Sequence, residues 1–299
     1  MLLLRSLPDI ATSAEVHDSL RAKGGRDNCI IWGRTRRADF SAYPDTLSIR
    51  AVWGGTQYCH LSGRTIAVDD DSFLILNPGR SYSTSIRATQ PVESLTICFR
   101  PGLMDAEQSA DFIENLQPHE GTVSPVLKFI RAHLARGLID EDWYEEQLVF
   151  LLERMHGRQG KVLEQIDQLA LIRPATRREA YRRIALATDF LLTHYVEEVS
   201  LATLAGMAYL SKFHFLRLFR LIHGVTPRTY LQRKRVDVAV RLLESTRMAI
   251  SEVAASVGFS CESTLLRHVR RRTALSPRQF RARLGHSQLQ PDQMAIAAR

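Results

Sequence analysis

Apolar and polar positions change their period twice along this 299-residue chain. Through residues 46–99 they alternate with a period near two. The apolar runs are Leu47-x-Ile49-x-Ala51-x-Trp53, Gln57-Tyr58-Cys59-His60-Leu61, Thr65-Ile66-Ala67-Val68, Ser72-Phe73-Leu74-Ile75-Leu76, Tyr82-Ser83-Thr84-Ser85-Ile86 and Glu93-Ser94-Leu95-Thr96-Ile97-Cys98-Phe99. Gly54-Gly55, Ser62-Gly63, Asp69-Asp70-Asp71 and Asn77-Pro78-Gly79 separate them. Short strands at this spacing predict an antiparallel sandwich or small barrel. Residues 1–40 show no clear period. After Pro101 the period lengthens to that of helices, one opening near Pro125 with Val126, Ile130 and Leu134 on one side. A second covers 140–155 with Trp143, Leu148, Leu151 and Leu152 at helical spacing. Helices in this position either cap the barrel or pair with a second subunit, and a homodimer is expected.

Residues 156–181 are polar, basic and broken by Gly157, Gly160 and Pro174, which predicts a partly helical linker. The expected organisation is two-domain α+β. A β-barrel domain with following helices spans 1–155, the linker 156–181 and an all-α domain 182–284, with a frayed polar tail over 285–299.

The all-α part says nearly the same thing twice. Leu204-Ala205, Leu210-Ser211, Arg217-x-Phe219 and Gly224-x-Thr226-Pro227-x-x-Tyr230 return as Val253-Ala254, Phe259-Ser260, Arg267-x-Val269 and Ala274-x-Ser276-Pro277-x-x-Phe280. Each copy is a short helix, a tight turn and a second helix, the sequence form of a helix-turn-helix. Ser200 and Ser211 are placed to cap the two helices of the first copy, and Gly224 to end the second of them. Phe215, Leu218, Phe219 and Ile222 fall on one face, so Lys212, Phe213, His214, Leu216, Arg217 and Arg220 must face outward. A long helix from Pro227 to about Thr246 turns Val236, Val238, Ala239, Leu242 and Leu243 inward and bridges the copies. In the second copy Ile250, Val253, Ala254 and Val257 form the apolar side of the first helix, and Leu265 and Val269 that of the second. Glu262, Ser263, Thr264, Leu266, Arg267, Arg270 and Arg271 can face out.

Two recognition helices about 34 Å apart read successive turns on one side of double-stranded DNA. Arg217 and Arg267 occupy equivalent positions and suit bidentate contact with guanine, while Phe213, Leu216 and Leu266 suit thymine methyl groups. Arg220, Arg270, Arg271 and Arg272 suit phosphates, which give affinity and salt dependence. Any single arginine is equally a solvated surface charge; the matched repeat is what argues for DNA.

Charge changes the picture once divided along the chain. The net +8 is concentrated in residues 177–286, where 20 Lys/Arg stand against 8 Asp/Glu, while residues 1–176 carry 19 against 23. A basic module behind an acidic one fits a nucleic-acid partner. Cys29, Cys59, Cys98 and Cys261 share no metal-type or redox-type spacing, which predicts free thiols in a reducing compartment. No apolar stretch approaches the roughly 20 residues of a membrane span, and Arg5, Pro8 and Asp9 end the N-terminal apolar run too early for a signal peptide. A cytoplasmic protein is expected.

On the repeated elements, together with Arg235, Ala239-x-x-Leu242-Leu243, Ile250-x-x-Val253-Ala254, Gly258-Phe259 and Phe280-Arg281, residues about 182–283 resemble the DNA-binding domain of the AraC/XylS family of bacterial transcription regulators. The resemblance implies regulation of transcription through RNA polymerase, usually as an activator. Departures are Ala274 where the family usually has Gly, and Leu265 and Val269 in place of aromatics. If the backbone at Ala274 is left-handed, that costs about 1 kcal/mol. Both departures predict a second unit with less internal support.

Gly55, the acidic turn before Phe73-Leu74-Ile75-Leu76, and Asn77-Pro78-Gly79-Arg80 are similar to the cupin-like barrel that many such regulators use to sense a small-molecule effector. Arg50, Trp53, Tyr58, His60, Arg80 and Tyr82 are the effector candidates: aromatics for area, arginines for an anion. A metal is not expected. His60 is the only His between His17 and His119, and Tyr82 stands where cupin enzymes often carry His. No cofactor and no enzyme activity are expected. The competing classes are a cupin oxygenase or isomerase with a DNA-binding appendage, a DNA-repair alkyl transferase fused to this domain, and a non-specific architectural DNA binder. The first lacks a ligand set and the second an evidently activated cysteine. The third would show no base preference, which Arg217 and Arg267 argue against.

Overall fold

The computed structural model describes residues 1–4, 27–40, 46–61, 63–103, 112–169, 174–276 and 279. Ser62, the tail over 285–299, and Pro277, Phe280 and Arg281 of the second repeat lie outside the described residues. The chain divides into two compact units, Met1–Thr193 and His194–Arg299.

In the first unit β1 (Leu2–Leu4) and β2 (Cys29–Phe40) precede the alternating runs, which become strands β3 (Leu47–Trp53), β4 (Thr56–Leu61), β5 (Arg64–Asp69), β6 (Ser72–Leu76) and β7 (Tyr82–Phe99), and β8 (Leu116–Pro118) follows them. The sheet runs in the order β1-β2-β7-β3-β6-β8, with β4 pairing both β5 and β7, and forms a nearly closed, mainly antiparallel barrel. The two runs expected at 82–86 and 93–99 are one strand. Residues 88–91 stand opposite Arg36, where the register with β2 shifts between Thr35 and Arg37. Pro91 falls in this bulge, where its missing N–H breaks no ladder bond. β2 itself was not legible beforehand, because Arg34, Arg36, Arg37 and Asp39 interrupt its apolar positions.

Side-chain parity gives the sheet two apolar faces. Val52, Cys59, Leu61, Ile66, Leu74, Leu76, Tyr82 and Ile86 fill the interior. Ile49, Ala51, Trp53, Phe73, Ile75, Leu95, Ile97 and Phe99 face helices α1 (Val123–Ala135) and α2 (Glu141–Asp167). Val126, Leu127, Ile130 and Leu134 of α1, and Tyr144, Leu148, Leu151, Leu152 and Met155 of α2, close this outer layer. A polar clamp fixes it: Glu93 accepts two bonds from Arg131, at 2.7 and 2.8 Å, and one from Trp32 at 2.9 Å. The carboxyl is partly buried, which would raise its pKa, but these bonds from Arg131 and Trp32 hold it below its ordinary value.

The segment expected as a linker is mostly helical. α2 begins at its N-cap Asp140, whose carboxylate accepts from Trp143 N at 3.0 Å, and continues through Gly157 and Gly160 to Asp167. Each glycine costs a helix about 1 kcal/mol. Burial of Met155, Gln159, Val162 and Ile166 along the same face carries the helix past them. α3 (Pro174–Thr193) belongs to the barrel unit, so the division between units falls after Thr193 rather than after residue 181. Its Asp189 accepts from Leu116 N at 2.9 Å and pairs with Arg64 at 3.3 Å, and its Thr193 hydroxyl accepts from Ala67 N at 3.1 Å.

The second unit holds α4 (Leu201–Met207), α5 (Lys212–His223), α6 (Pro227–Ser245), α7 (Ile250–Ser256) and α8 (Glu262–Thr273). α6 packs on α5, α7 and α8 and so joins the two repeats.

Candidate nucleic-acid interface and barrel interior

The first repeat is built as its capping residues direct. Ser200 accepts from Thr203 N at 3.0 Å and opens α4; Ser211 accepts from His214 N at 3.3 Å and opens α5. Between them Tyr209 turns left-handed at φ 52, and Leu210 N closes the turn on Ala205 O at 2.9 Å. Gly224 ends α5 at φ 70, and Thr226 caps α6 through Thr229 N at 3.2 Å. Phe215, Leu218 and Phe219 are buried and Ile222 is half-buried. Phe219 lies 4.4 Å from His223 and 5.7 Å from Tyr230, ring to ring, and His223 and Tyr230 are 4.8 Å apart. Burial in this stack lowers the His223 pKa to about 4.

The second repeat copies the path. Gly258 turns left-handed at φ 81, Phe259 N closes on Ala254 O at 2.9 Å, and Ala274 ends α8 at φ 60. Cys261 stands at the N-cap in place of Ser211 and makes no side-chain cap bond. Hydrogen bonds from Ser263 and then Thr264 lower this exposed thiol to about 7. Val253, Ala254, Val257, Leu265 and Val269 pack against Val236, Ala239 and Leu243 of α6. Ile250, Val238 and Leu242, expected inside, are half-buried at its margin.

Sequence reasoning matched Arg235 as a motif residue without assigning it a task. On α6 its guanidinium donates to Tyr195 O at 2.6 Å, Glu197 O at 2.8 Å and Gly258 O at 2.6 Å. It thus ties the second turn to the chain entering the first repeat. A Cβ on Gly258 would stand 2.3 Å from Val196 O, so the backbones meet there too closely for any side chain.

Lys212, Phe213, His214, Arg217 and Arg220 are exposed on α5, and Leu216 is half-buried. On α8 Glu262, Ser263, Arg267, Arg270 and Arg271 are exposed, with Thr264 and Leu266 half-buried. Phe213 is 80% exposed and Tyr209 83%, so two large rings stand in water beside the first recognition helix. Arg217 and Arg267 each sit five residues after the helix start. Arg272 pairs with Asp237 at 3.1 Å, which engages part of its charge inside the unit.

The effector candidates separate by strand parity. Arg50 and Tyr82 meet inside the barrel, 2.5 Å apart from Nη2 to OH. Trp53 faces the outer helices, with the Arg131 guanidinium 4.6 Å above its ring. Tyr58 and His60 point outward from β4, and Arg80 pairs with Glu114 at 3.0 Å near the surface. His60 meets Thr65 and Ser85 hydroxyls at 3.1 and 3.0 Å. Among the described residues no group of three or more His, Cys, Asp or Glu could hold a metal ion, and no helix is long and apolar enough to cross a membrane.

The fold and this surface define the class: a β-barrel unit followed by a unit of two helix-turn-helix repeats with basic recognition helices. A family model described as a helix-turn-helix domain matches residues 204–283. A probable transcriptional regulator, LumQ of Photobacterium leiognathi, is 32% identical over 97 residues, 32% of this chain and 39% of that protein. The bifunctional transcriptional activator/DNA repair enzyme AdaA of Bacillus subtilis is 30% identical over 98 residues, 33% of this chain and 46% of that protein, in the helix-turn-helix region. The virulence regulon transcriptional activator VirF of Yersinia enterocolitica is 24% identical over 233 residues, 74% of this chain and 83% of that protein. The chain thus spans less than half the length of the first two of these relatives. Residues 204–283 are a helix-turn-helix domain of the AraC type, similar to the corresponding region of these regulators.

Proposed function

We propose that this protein is a sequence-specific DNA-binding regulator of transcription, acting as an activator. The observation that carries it is the pair of recognition helices in one compact unit with Arg217 and Arg267 exposed at the same register. Phosphate contact falls to Arg220, Arg270 and Arg271, and base contact to Phe213, Arg217, Leu216, Leu266 and Arg267 with their exposed neighbours. Activation implies contact with RNA polymerase, and the activators AdaA and VirF among the relatives favour that sign. The reading is non-enzymatic and cytoplasmic. AdaA is also called a repair enzyme, but the likeness to it is confined to the helix-turn-helix region.

The barrel unit serves as a sensing and dimerisation domain. Phe129, Ile139, Val149 and Phe150, 40–67% exposed on and between α1 and α2, supply an apolar strip suited to a second copy. Arg50 and Tyr82 are the barrel residues suited to an effector.

Selection of bound duplexes from a random pool, at fixed salt, tests the proposal. Two short elements about one helical turn apart are expected. Arg217→Ala and Arg267→Ala should each weaken operator binding by about 1–3 kcal/mol and relax base choice at one element. Equal losses on operator and random DNA would remove both from base reading.

A further inference from the structure

Arg50 lies on β3, opposite Thr96 of β7 and Leu74 of β6, and is 4% exposed. Its Nη1 donates to Thr96 Oγ1 at 3.3 Å and its Nη2 to the Tyr82 hydroxyl at 2.5 Å, with the tyrosine ring centred 4.6 Å from the guanidinium carbon. Its Nε is buried without a hydrogen-bond partner among the described residues, as is the hydroxyl of Thr84, while the Ser48 hydroxyl engages Tyr82. Both hydroxyls face the same interior: Ser48 shares Arg50's side of β3, and Thr84 shares Tyr82's side of β7.

Arg131 and Arg64, partly buried in the same unit, have acids: Arg131 has Glu93 and Arg64 has Asp189. The groups acting on the charge of Arg50 are Tyr82, Cys59 and Cys98, none of them a carboxylate. Burial raises the pKa of Tyr82 and of both thiols, so all three are neutral near pH 7. Among the described residues a full positive charge is therefore enclosed with neutral acceptors only, an arrangement that is costly unless something anionic completes it.

We propose that the barrel interior binds a small organic molecule through a single carboxylate, with Arg50 as its counter-ion and the Thr84 hydroxyl as a further donor. One guanidinium balances one negative charge; a dianionic phosphate would leave an excess charge in the same interior. Val52, Leu61, Ile66, Leu74, Leu76 and Ile86 form the apolar cluster around this group, so a ligand admitted among them is apolar beyond its carboxylate. This deepens the sensing role proposed for the barrel and rests on it.

The test is thermal unfolding and calorimetric titration of the full chain with butyrate, octanoate and benzoate. Their neutral amides and octyl phosphate are the controls. The carboxylates should raise the melting temperature and the amides and phosphate should not. Arg50→Met should abolish the response, weakening the best carboxylate about thirtyfold or more. The same variant should melt no lower than wild type without ligand, because it removes an uncompensated buried charge. Thr84→Val leaves the guanidinium in place and should weaken binding by a smaller factor, which keeps the test usable if Arg50→Met fails to fold. Equal response to amide and carboxylate would overturn the carboxylate while leaving a sensing barrel intact. No response to any carboxylate would overturn it too. The sensing role then stands or falls separately, on whether DNA affinity changes with any small molecule.

Discussion

The two helix-turn-helix repeats reach one geometry with different residues, and the difference shows where the backbone demands glycine. Each repeat turns left-handed twice, once in the turn and once after the recognition helix. The first places Tyr209 (φ 52) in the turn and Gly224 (φ 70) at the helix end; the second places Gly258 (φ 81) and Ala274 (φ 60). Tyr209 and Ala274 are the two side-chain-bearing residues with positive φ among the described residues. Each repeat thus has one glycine and one strained residue, in opposite order. Surroundings explain the order at the turns. Tyr209 is 83% exposed, whereas Gly258 is pressed against Val196 O and tied by Arg235. At the helix ends a Cβ on Gly224 would meet nothing within 4 Å, so space does not forbid a side chain there, only conformation does.

The cores differ as well, and this gives the largest expected effect. Phe219 joins Phe215, His223 and Tyr230 in one aromatic cluster, while its counterpart Val269 lies in a mainly aliphatic cluster with Val236, Ala239, Leu243, Val253 and Phe259. Phe219→Ala should cost about 3–5 kcal/mol in urea unfolding and Val269→Ala roughly half of that. Equal losses would mean that the cluster adds nothing to the support of the first repeat.

Next is the turn. Gly258→Ala sets a Cβ 2.3 Å from a backbone oxygen and adds strain at positive φ, so about 3 kcal/mol or more should be lost. Tyr209→Gly at the equivalent place should instead gain up to about 1 kcal/mol. Opposite signs at two matched positions, read from the same unfolding curves, would establish that close approach governs the second turn alone. A mild Gly258→Ala would show that the 195–197 segment can yield.

These sites mark what the sequence could and could not disclose. The repeat, the caps Ser200 and Ser211, and the inward Phe215, Leu218 and Phe219 followed from spacing, because capping and helical period are local physics. The strands over 46–99 followed from alternation. The extent of α2 did not, since Gly157 and Gly160 signal a break that distant packing overrides. Nor did the attachment of α3, which depends on the buried contacts of Asp189 with Arg64 and Leu116. The effector candidates were grouped by residue type, yet parity already divided them. Arg50 and Trp53 are three positions apart on one strand and must face opposite sides.

Acid should also distinguish the repeats. His223 has an unfolded pKa near 6.5 and a folded value of about 4, set by burial. The folded state therefore binds fewer protons between those values. Its stability is complete above pH 6.5 and is lost as pH falls through about 4, by roughly 2–3 kcal/mol. Thr273 occupies the matching position in the second repeat and does not titrate there. The gap in melting temperature between wild type and His223→Gln should shrink, or reverse in favour of the variant, from pH 7 to pH 4.5. A constant gap would mean that folding leaves the His223 pKa at its ordinary value.

The smallest effect is at the helix ends, where the comparison is cleanest because neither site is crowded. Ala274 holds φ 60 with its amide donating to Arg270 O at 2.9 Å, and Gly224 holds φ 70 with its amide donating to Arg220 O at 2.8 Å. The hydrogen bonds are alike, so the two ends differ by one methyl group on a left-handed backbone. Ala274→Gly should stabilise the unit by about 1 kcal/mol, and Gly224→Ala should destabilise it by about as much. The double exchange should come close to wild type, since the sites lie in different repeats and share no partner. If Ala274→Gly tightens operator binding as well as raising the melting temperature, the strain at this helix end also limits how firmly α8 is presented to DNA. A gain in stability with unchanged affinity would confine its effect to the fold.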